Sequence, residues 1–118
     1  MITRRLALVA ALLAGALTGC AGQQAKPLYH WGVYQPQVYE YFKGDGNSHE
    51  AQIAALEEDV QKARATGETL PPGYHAHLGM LYSHAGKLDQ VKQEFETEKA
   101  MYPESGSFMD FLLRNFKN

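Results

Sequence analysis

The chain has 118 residues, 45% of them hydrophobic and 20% charged, a length that accommodates one domain. Eleven basic residues stand against 13 acidic ones, a formal charge of −2 that gives no support to nucleic-acid binding. The single cysteine excludes an internal disulfide, a four-cysteine zinc site and a CxxC redox motif.

Residues 1–19 are organised like a secretory signal. Two arginines precede a 12-residue apolar run from Leu6 to Leu17, which is shorter than the roughly 20 residues that a membrane span needs. The stretch Leu17-Thr18-Gly19-Cys20 resembles the lipobox of bacterial lipoproteins. The resemblance implies cleavage before Cys20, attachment of diacylglycerol to its thiol and acylation of its new amine.

The residue after the cysteine predicts the destination. Ala21 stands where lipoproteins retained at the inner membrane often carry Asp, so the resemblance implies the outer membrane and a domain that faces the periplasm. Removal of the signal leaves nine basic residues against 13 acidic ones, a charge of −4, so we expect acyl chains on Cys20 to be the membrane anchor. We predict an acylated tether over residues 20–27 and the domain over residues 28–118.

Residues 28–42, which we call the aromatic segment, contain six aromatic side chains. They are Tyr29, Trp31, Tyr34, Tyr39, Tyr41 and Phe42. One interpretation is that these rings form core; the other is an exposed platform for a glycan or a peptide. Pro36 predicts a short helix over 37–43, and the glycines of residues 44–47 predict its end.

A second helix is predicted to about Thr66, after Asn47 and Ser48 as cap residues. Its apolar residues recur every three or four positions, whereas its charged residues are expected mostly on the solvated side. The apolar set is Ile53, Leu56, Val60 and Ala63; the charged set is Glu57, Glu58, Asp59, Lys62 and Arg64.

Residues 72–105 resemble a tetratricopeptide repeat of 34 residues, with Leu78-Gly79, Tyr82, Phe95 and Pro103 at matching positions. The resemblance implies close helix packing at Gly79, a turn at Gly86 and a helix end at Pro103. The predicted buried seam is Leu78, Tyr82, Leu88, Val91, Phe95 and Met101. The pattern departs from the repeat at His75, Val91 and Glu98, where Trp, Ala and a small residue are usual.

The fold class predicted is therefore all-α: a short stack of helical hairpins with a C-terminal capping helix. A capping-box spacing from Ser107 to Asp110 begins that last helix. Its expected apolar face is Phe108, Phe111, Leu112 and Phe116. The helices over 37–43 and 48–66 are interpreted as a degenerate first repeat.

The sequence contains no pattern that indicates catalysis. The five histidines lack metal-ligand spacing and are expected to be solvated or at the rim, and Glu94 and Glu98 are expected on a solvated face. We therefore predict no catalytic residues, no metal and no cofactor.

Several residues instead indicate a protein-binding function. In tetratricopeptide repeats the leading helix lines the binding surface, so the resemblance assigns Ala76, Met80, Ser83 and His84 to a partner-binding face. Tyr29, Trp31 and Tyr34 are further candidates for binding a partner. The alternative is that the leading helix packs against the aromatic segment. Because one repeat offers little groove, an envelope protein or a second copy would have to complete the site.

The motifs Leu28-Tyr29-x-Trp31-Gly32-x-Tyr34 and Pro71-Pro72-Gly73, with the repeat-like segment, resemble a family of small bacterial lipoproteins labelled only as a domain of unknown function. Members tend to be encoded beside lipoproteins similar to the curli secretion channel. The resemblance implies a non-catalytic adaptor or assembly factor in an outer-membrane complex. The alternative function is binding of a small ligand or cell-wall glycan through the aromatic segment.

Overall fold

A computed structural model describes residues 1–3, 22 and 24–116 of the chain. It contains α1 (Tyr34–Lys43), α2 (His49–Thr66), α3 (Tyr74–His84), α4 (Leu88–Met101) and α5 (Gly106–Asn115), with a 3₁₀ turn at Pro103–Ser105. These residues form no strand, and the predicted stack of hairpins with a capping helix is confirmed. Most of the predicted signal segment and the whole lipobox lie outside the described residues.

The first two helices begin and end for local reasons. Helix α1 starts at Tyr34, three residues earlier than predicted, so Pro36 falls in its first turn, where a missing N–H leaves no bond unmade. Helix α2 follows Ser48, whose hydroxyl accepts a hydrogen bond from the Ala51 N–H at 3.2 Å. Asn47 does not cap the helix; its carbonyl accepts a bond from the Gln52 side chain instead.

Helices α3 and α4 form the predicted repeat-like hairpin. A Cβ at Gly79 would lie 2.6 Å from Cε1 of Phe95, so only glycine permits the two helices to approach this closely. The chain turns at Gly86 and α4 ends at Met101, two residues before Pro103, as predicted. The core that joins the helices consists chiefly of Ile53, Leu56, Tyr74, Leu78, Leu81, Tyr82, Val91, Phe95 and Met109.

The predicted burial is wrong for two residues of the seam. Leu88 is 56% exposed and Met101 is 39% exposed, whereas the other four members are buried. Leu88 is the first residue of α4 and Met101 is the last. Side chains at helix ends are covered by fewer neighbours, although their spacing matches the buried positions.

Helix α5 caps the stack, but with a different rotation from the one predicted. Met109 is buried, and Leu112, Leu113 and Phe116 pack partly buried against the core. Phe108 and Phe111 are exposed, so half of the predicted apolar face was wrong. The capping-box interpretation fails as well, because the Asp110 carboxylate accepts a bond from Nζ of Lys99 at 2.6 Å.

The departures from the repeat pattern hold the hairpin together. Glu98 is 2% exposed, and its carboxylate accepts bonds from the N–H groups of Gly73 at 2.6 Å and Ala76 at 3.4 Å. It thus satisfies free donors at the positive end of α3. Nδ1 of His75 lies 2.6 Å from Oε2 of Glu94. The expectation that these two carboxylates are solvated was therefore wrong.

No helix among residues 1–3, 22 and 24–116 combines the length and the apolar character needed to cross a membrane.

Candidate functional site

The beginning of the aromatic segment is fastened to the helical stack through His30. Its backbone N–H donates to the carbonyl of Thr69 at 2.8 Å. Its ring nitrogens lie 2.9 Å from Oε2 of Glu68 and 3.0 Å from Oδ1 of Asp59. Hydrogen bonds to Asp59 and then Glu68 raise the pKa of His30, because both carboxylates favour the imidazolium form.

Asp59 is the buried centre of this attachment. It is 3% exposed, and Oδ2 accepts from the Val33 N–H and from the Tyr74 hydroxyl, each at 3.2 Å. Burial first, and then the charge of Asp59, raise the pKa of the Tyr74 hydroxyl. A Cβ at Gly32 would overlap the Asp59 carboxylate, so no side chain fits between the backbone at Gly32 and this acid. The expectation that Asp59 is solvated was wrong.

The burial of Asp59 could have been predicted from its spacing in the sequence. It lies three residues after Leu56 and four before Ala63, both of them buried, so it belongs to the apolar face of α2. Glu98 likewise lies three residues after Phe95 and seven after Val91 on α4, both of them buried. A carboxylate at such a position predicts a buried anchor, since an acid is rarely buried without partners.

Rings of the aromatic segment cover part of helix α3. The Tyr34 ring stacks on Tyr74, with centroids 5.1 Å apart, and meets His77 edge-on at 6.0 Å. The Tyr41 ring also meets His77 edge-on, at 5.3 Å. Burial lowers the pKa of His77 to about 4, and its Nε2 is buried with no hydrogen-bond partner among the described residues. His75 and His77 are both buried, which corrects the expectation of solvated or rim histidines.

The candidate partner-binding residues of α3 do not form one open face. Ala76 and Met80 are half-buried against the core, and the Ser83 hydroxyl donates to the carbonyl of Met80 at 2.6 Å. His84 is exposed, but its Nε2 lies 3.0 Å from the Tyr41 hydroxyl and its ring stacks on His49 at 4.5 Å. Part of the proposed binding face therefore packs against the aromatic segment.

The aromatic segment itself is divided between core and surface. Tyr29, Tyr34 and Tyr41 are half-buried. By contrast, four large apolar residues point to solvent, with exposures of 80%, 44%, 65% and 75% in chain order. These are Leu28, Trp31, Tyr39 and Phe42, which we call the outer stripe.

A second exposed apolar surface lies on α5. Phe108 and Phe111 on α5 are 56% and 50% exposed, and their rings are nearly parallel with centroids 6.5 Å apart. We call this the α5 pair. Arg114 is exposed on the same helix, three residues beyond Phe111. Exposed apolar side chains that cluster with a neighbour are typical of interaction surfaces.

An open groove of about 490 Å³ is lined by residues of α2, α3 and α4. Leu78 and Tyr82 contribute apolar surface, and the Tyr82 hydroxyl donates a hydrogen bond to Glu57. The remaining charged lining is Glu58, Glu94 and Arg64. Among residues 1–3, 22 and 24–116, no group of three or more His, Cys, Asp or Glu side chains could hold a metal ion.

Comparisons with known proteins place the chain in one family. No curated protein and no solved structure matches it. A family model does match, over residues 28–112, which begin at the outer stripe and end in α5. The chain therefore belongs to the family described as Domain of unknown function (DUF4810).

Proposed function

We propose that this protein is an outer-membrane-anchored, periplasm-facing lipoprotein that acts as a non-catalytic adaptor or assembly factor in an envelope protein complex. A lipoprotein similar to the curli secretion channel is the partner that the family resemblance suggests. Anchoring rests on Leu17-Thr18-Gly19-Cys20 and the basic and apolar residues before it.

The observation that carries the adaptor proposal is the α5 pair. In a stack of helical hairpins, the outer face of the last helix is where a further repeat would pack. Here Phe108 and Phe111 remain exposed on that face, whereas Met109 closes the core beneath them. An apolar helix of a partner can therefore continue the stack at α5 and bury both rings.

Crosslinking in intact cells tests the adaptor proposal. A photoreactive residue replaces Phe111 in the full lipidated chain, and the matched control carries it at Gln90, which is exposed on α4. We expect a stoichiometric adduct with one envelope lipoprotein from position 111 and none from position 90. Absence of any stoichiometric adduct at position 111, with the protein normally anchored, would contradict the adaptor proposal.

Anchoring has a separate test. Cys20→Ala removes the thiol that accepts diacylglycerol, so we expect incorporation of labelled palmitate to be lost and the precursor to accumulate. Ala21→Ser, which leaves Cys20 in place, is the control and should be labelled normally. Undiminished labelling of Cys20→Ala would refute the lipobox interpretation.

A second candidate function is binding of a small ligand or cell-wall glycan by the aromatic segment. Trp31 favours it, because its indole is 44% exposed and lies 6.4 Å from Tyr34 in a stacked arrangement. Trp31 is the sole tryptophan, so titration with soluble cell-wall fragments has a direct readout in its fluorescence. Saturable quenching would support this function, and unchanged emission at millimolar fragment would exclude it.

A further inference from the structure

We infer that the outer stripe lies in the head-group region of the membrane that holds the lipid anchor, so that α1 rests on the bilayer. This inference depends on the proposed anchoring at Cys20. It adds a second membrane contact, made by the folded domain itself, and it sets the orientation of the stack.

The composition of the stripe fits this location. Trp and Tyr are the residues enriched where membrane meets water, and Leu and Phe supply buried apolar area. Tyr39 and Phe42 are three residues apart on α1 and so share a face of the helix. Trp31 is held next to the start of α1 because its carbonyl accepts from the Tyr34 N–H at 2.9 Å. Leu28, three residues before Trp31 in sequence, is 80% exposed and is the member nearest the tether in sequence.

The same composition disfavours a sugar as the occupant. Protein sites for polar ligands combine rings with precisely placed polar groups. Leu28 and Phe42, the two most exposed members of the stripe, carry no hydrogen-bonding side-chain atom. Insertion into a bilayer requires no hydrogen bond from these two side chains.

The length of the tether places the stripe near the lipid. From Cys20 to Leu28 is eight residues, which span at most about 29 Å when fully extended. An anchored cysteine therefore keeps the stripe within reach of the surface at all times. Because insertion of the stripe is then an intramolecular step, even a weak interfacial affinity is enough to keep it docked.

The charge distribution also favours this end of the molecule. Twelve of the 13 acidic residues lie after residue 43, so the part of the mature chain up to that point holds Glu40 alone. The same part carries Lys26 and Lys43, whose exposed side chains pair with Glu68 at 4.0 Å and with Asp45 at 3.7 Å. These two lysines offset the carboxylates nearest to them, which reduces the repulsion between an anionic lipid surface and the stripe.

Depth-dependent quenching of Trp31 tests the inference. The full lipidated protein is reconstituted in vesicles of phosphatidylethanolamine and phosphatidylglycerol, some brominated near the head-group end of the acyl chain. We expect blue-shifted Trp31 emission, strong quenching by the brominated lipid and reduced quenching by aqueous acrylamide. The double variant Tyr39→Gln/Phe42→Gln keeps Trp31 but loses two rings, so its docking equilibrium should fall about tenfold or more, with a matching loss of lipid quenching.

The matched control is Phe108→Gln/Phe111→Gln, which alters the α5 pair of similar exposure. It should leave lipid quenching of Trp31 unchanged. All four substituted residues are at least half exposed, so both variants should keep the parent's melting temperature to within a few degrees.

Three results would overturn the inference. They are absence of lipid quenching, full quenching in the Tyr39→Gln/Phe42→Gln variant, and quenching by soluble cell-wall fragments without vesicles in place of quenching by lipid. Flotation of the same vesicles reports on the anchor separately. Protein that floats with its acyl chains while Trp31 stays fully accessible to acrylamide would refute the stripe contact and leave the anchoring proposal intact.

Discussion

The His30 ring nitrogen Nε2 lies 3.0 Å from Oδ1 of Asp59, across 29 positions of the chain. This pair ties the start of the aromatic segment to a buried carboxylate in the middle of α2. The rings that follow His30 are thereby positioned against α3 or directed to solvent. Four testable consequences follow from this attachment and from the packing beside it.

Replacement of the buried acid should loosen the aromatic segment. Asp59→Asn keeps the shape of the side chain but removes the charge that His30 and the Val33 N–H face. We expect the free energy of unfolding to fall by about 1–3 kcal/mol, the range for a charged buried hydrogen-bonded group. Amide hydrogen exchange over residues 30–34 should rise more than exchange within α4.

The matched control is Glu58→Gln. Glu58 is the exposed neighbour of Asp59, and it forms an ion pair with Lys62 on the same helix at 2.8 Å. Loss of such a surface pair changes the unfolding free energy by about 0.5 kcal/mol or less. Equal effects of the two variants would mean that Asp59 is not the anchor.

A methyl group at Gly32 should have two separate effects. Gly32→Ala places a Cβ onto the Asp59 carboxylate and also strains a residue with φ of +40°. Gly44→Ala introduces the backbone strain alone, because φ is +80° there and no atom lies within 4 Å of the new Cβ. We expect Gly44→Ala to destabilise by about 1 kcal/mol and Gly32→Ala by clearly more, measured by urea unfolding. Equal losses would show that Asp59 does not approach this backbone.

His77 should make the fold sensitive to acid. Its pKa is lowered to about 4 by burial, so the native state excludes a proton that the unfolded chain binds below its ordinary pKa of 6.5. Stability is therefore intact above pH 6.5 and is lost as the pH falls toward 4, by up to about 3 kcal/mol. His30 has the opposite sign, because its raised pKa adds stability at low pH that is lost as the pH rises through it.

His77→Phe should remove most of the loss between pH 7 and pH 4.5 in urea unfolding. It also removes a buried ring nitrogen that has no partner among the described residues, which should stabilise the fold at neutral pH by about 1 kcal/mol. His77→Gln is the control, since it abolishes the titration without adding an aromatic ring. An unchanged pH dependence in both variants would rule out His77 as the source.

The contact between Gly79 and Phe95 can be tested by a double-mutant cycle. Gly79→Ala should destabilise by about 1–3 kcal/mol, although Ala favours the helix, because its Cβ would lie 2.6 Å from the Phe95 ring. In a Phe95→Leu background the same substitution should have a much smaller effect, since the obstructing ring is absent. Additive losses in the double variant would place the steric conflict elsewhere.

The sequence by itself determined the helical elements and their order. Helical periodicity and the residues that end helices are local properties, so α2 was predicted to within a residue and the α3–α4 hairpin was placed correctly. The tetratricopeptide resemblance assigned Gly79 to close helix packing, and the 2.6 Å from its ideal Cβ to the Phe95 ring confirms this. The sequence also indicated a family described as a domain of unknown function, and the family model confirms that much.

Only the tertiary structure decided which side chains of these helices face inward. Asp59 and Glu98 occupy apolar positions, and their burial depends on donors that lie 15 to 29 residues away in sequence for Asp59 and 22 to 25 residues away for Glu98. Helix α5 has two apolar faces, and packing against α4 selected Met109 over Phe108 and Phe111. Composition alone could not divide the aromatic segment into buried rings and an outer stripe, because burial is set by non-local partners and not by residue type.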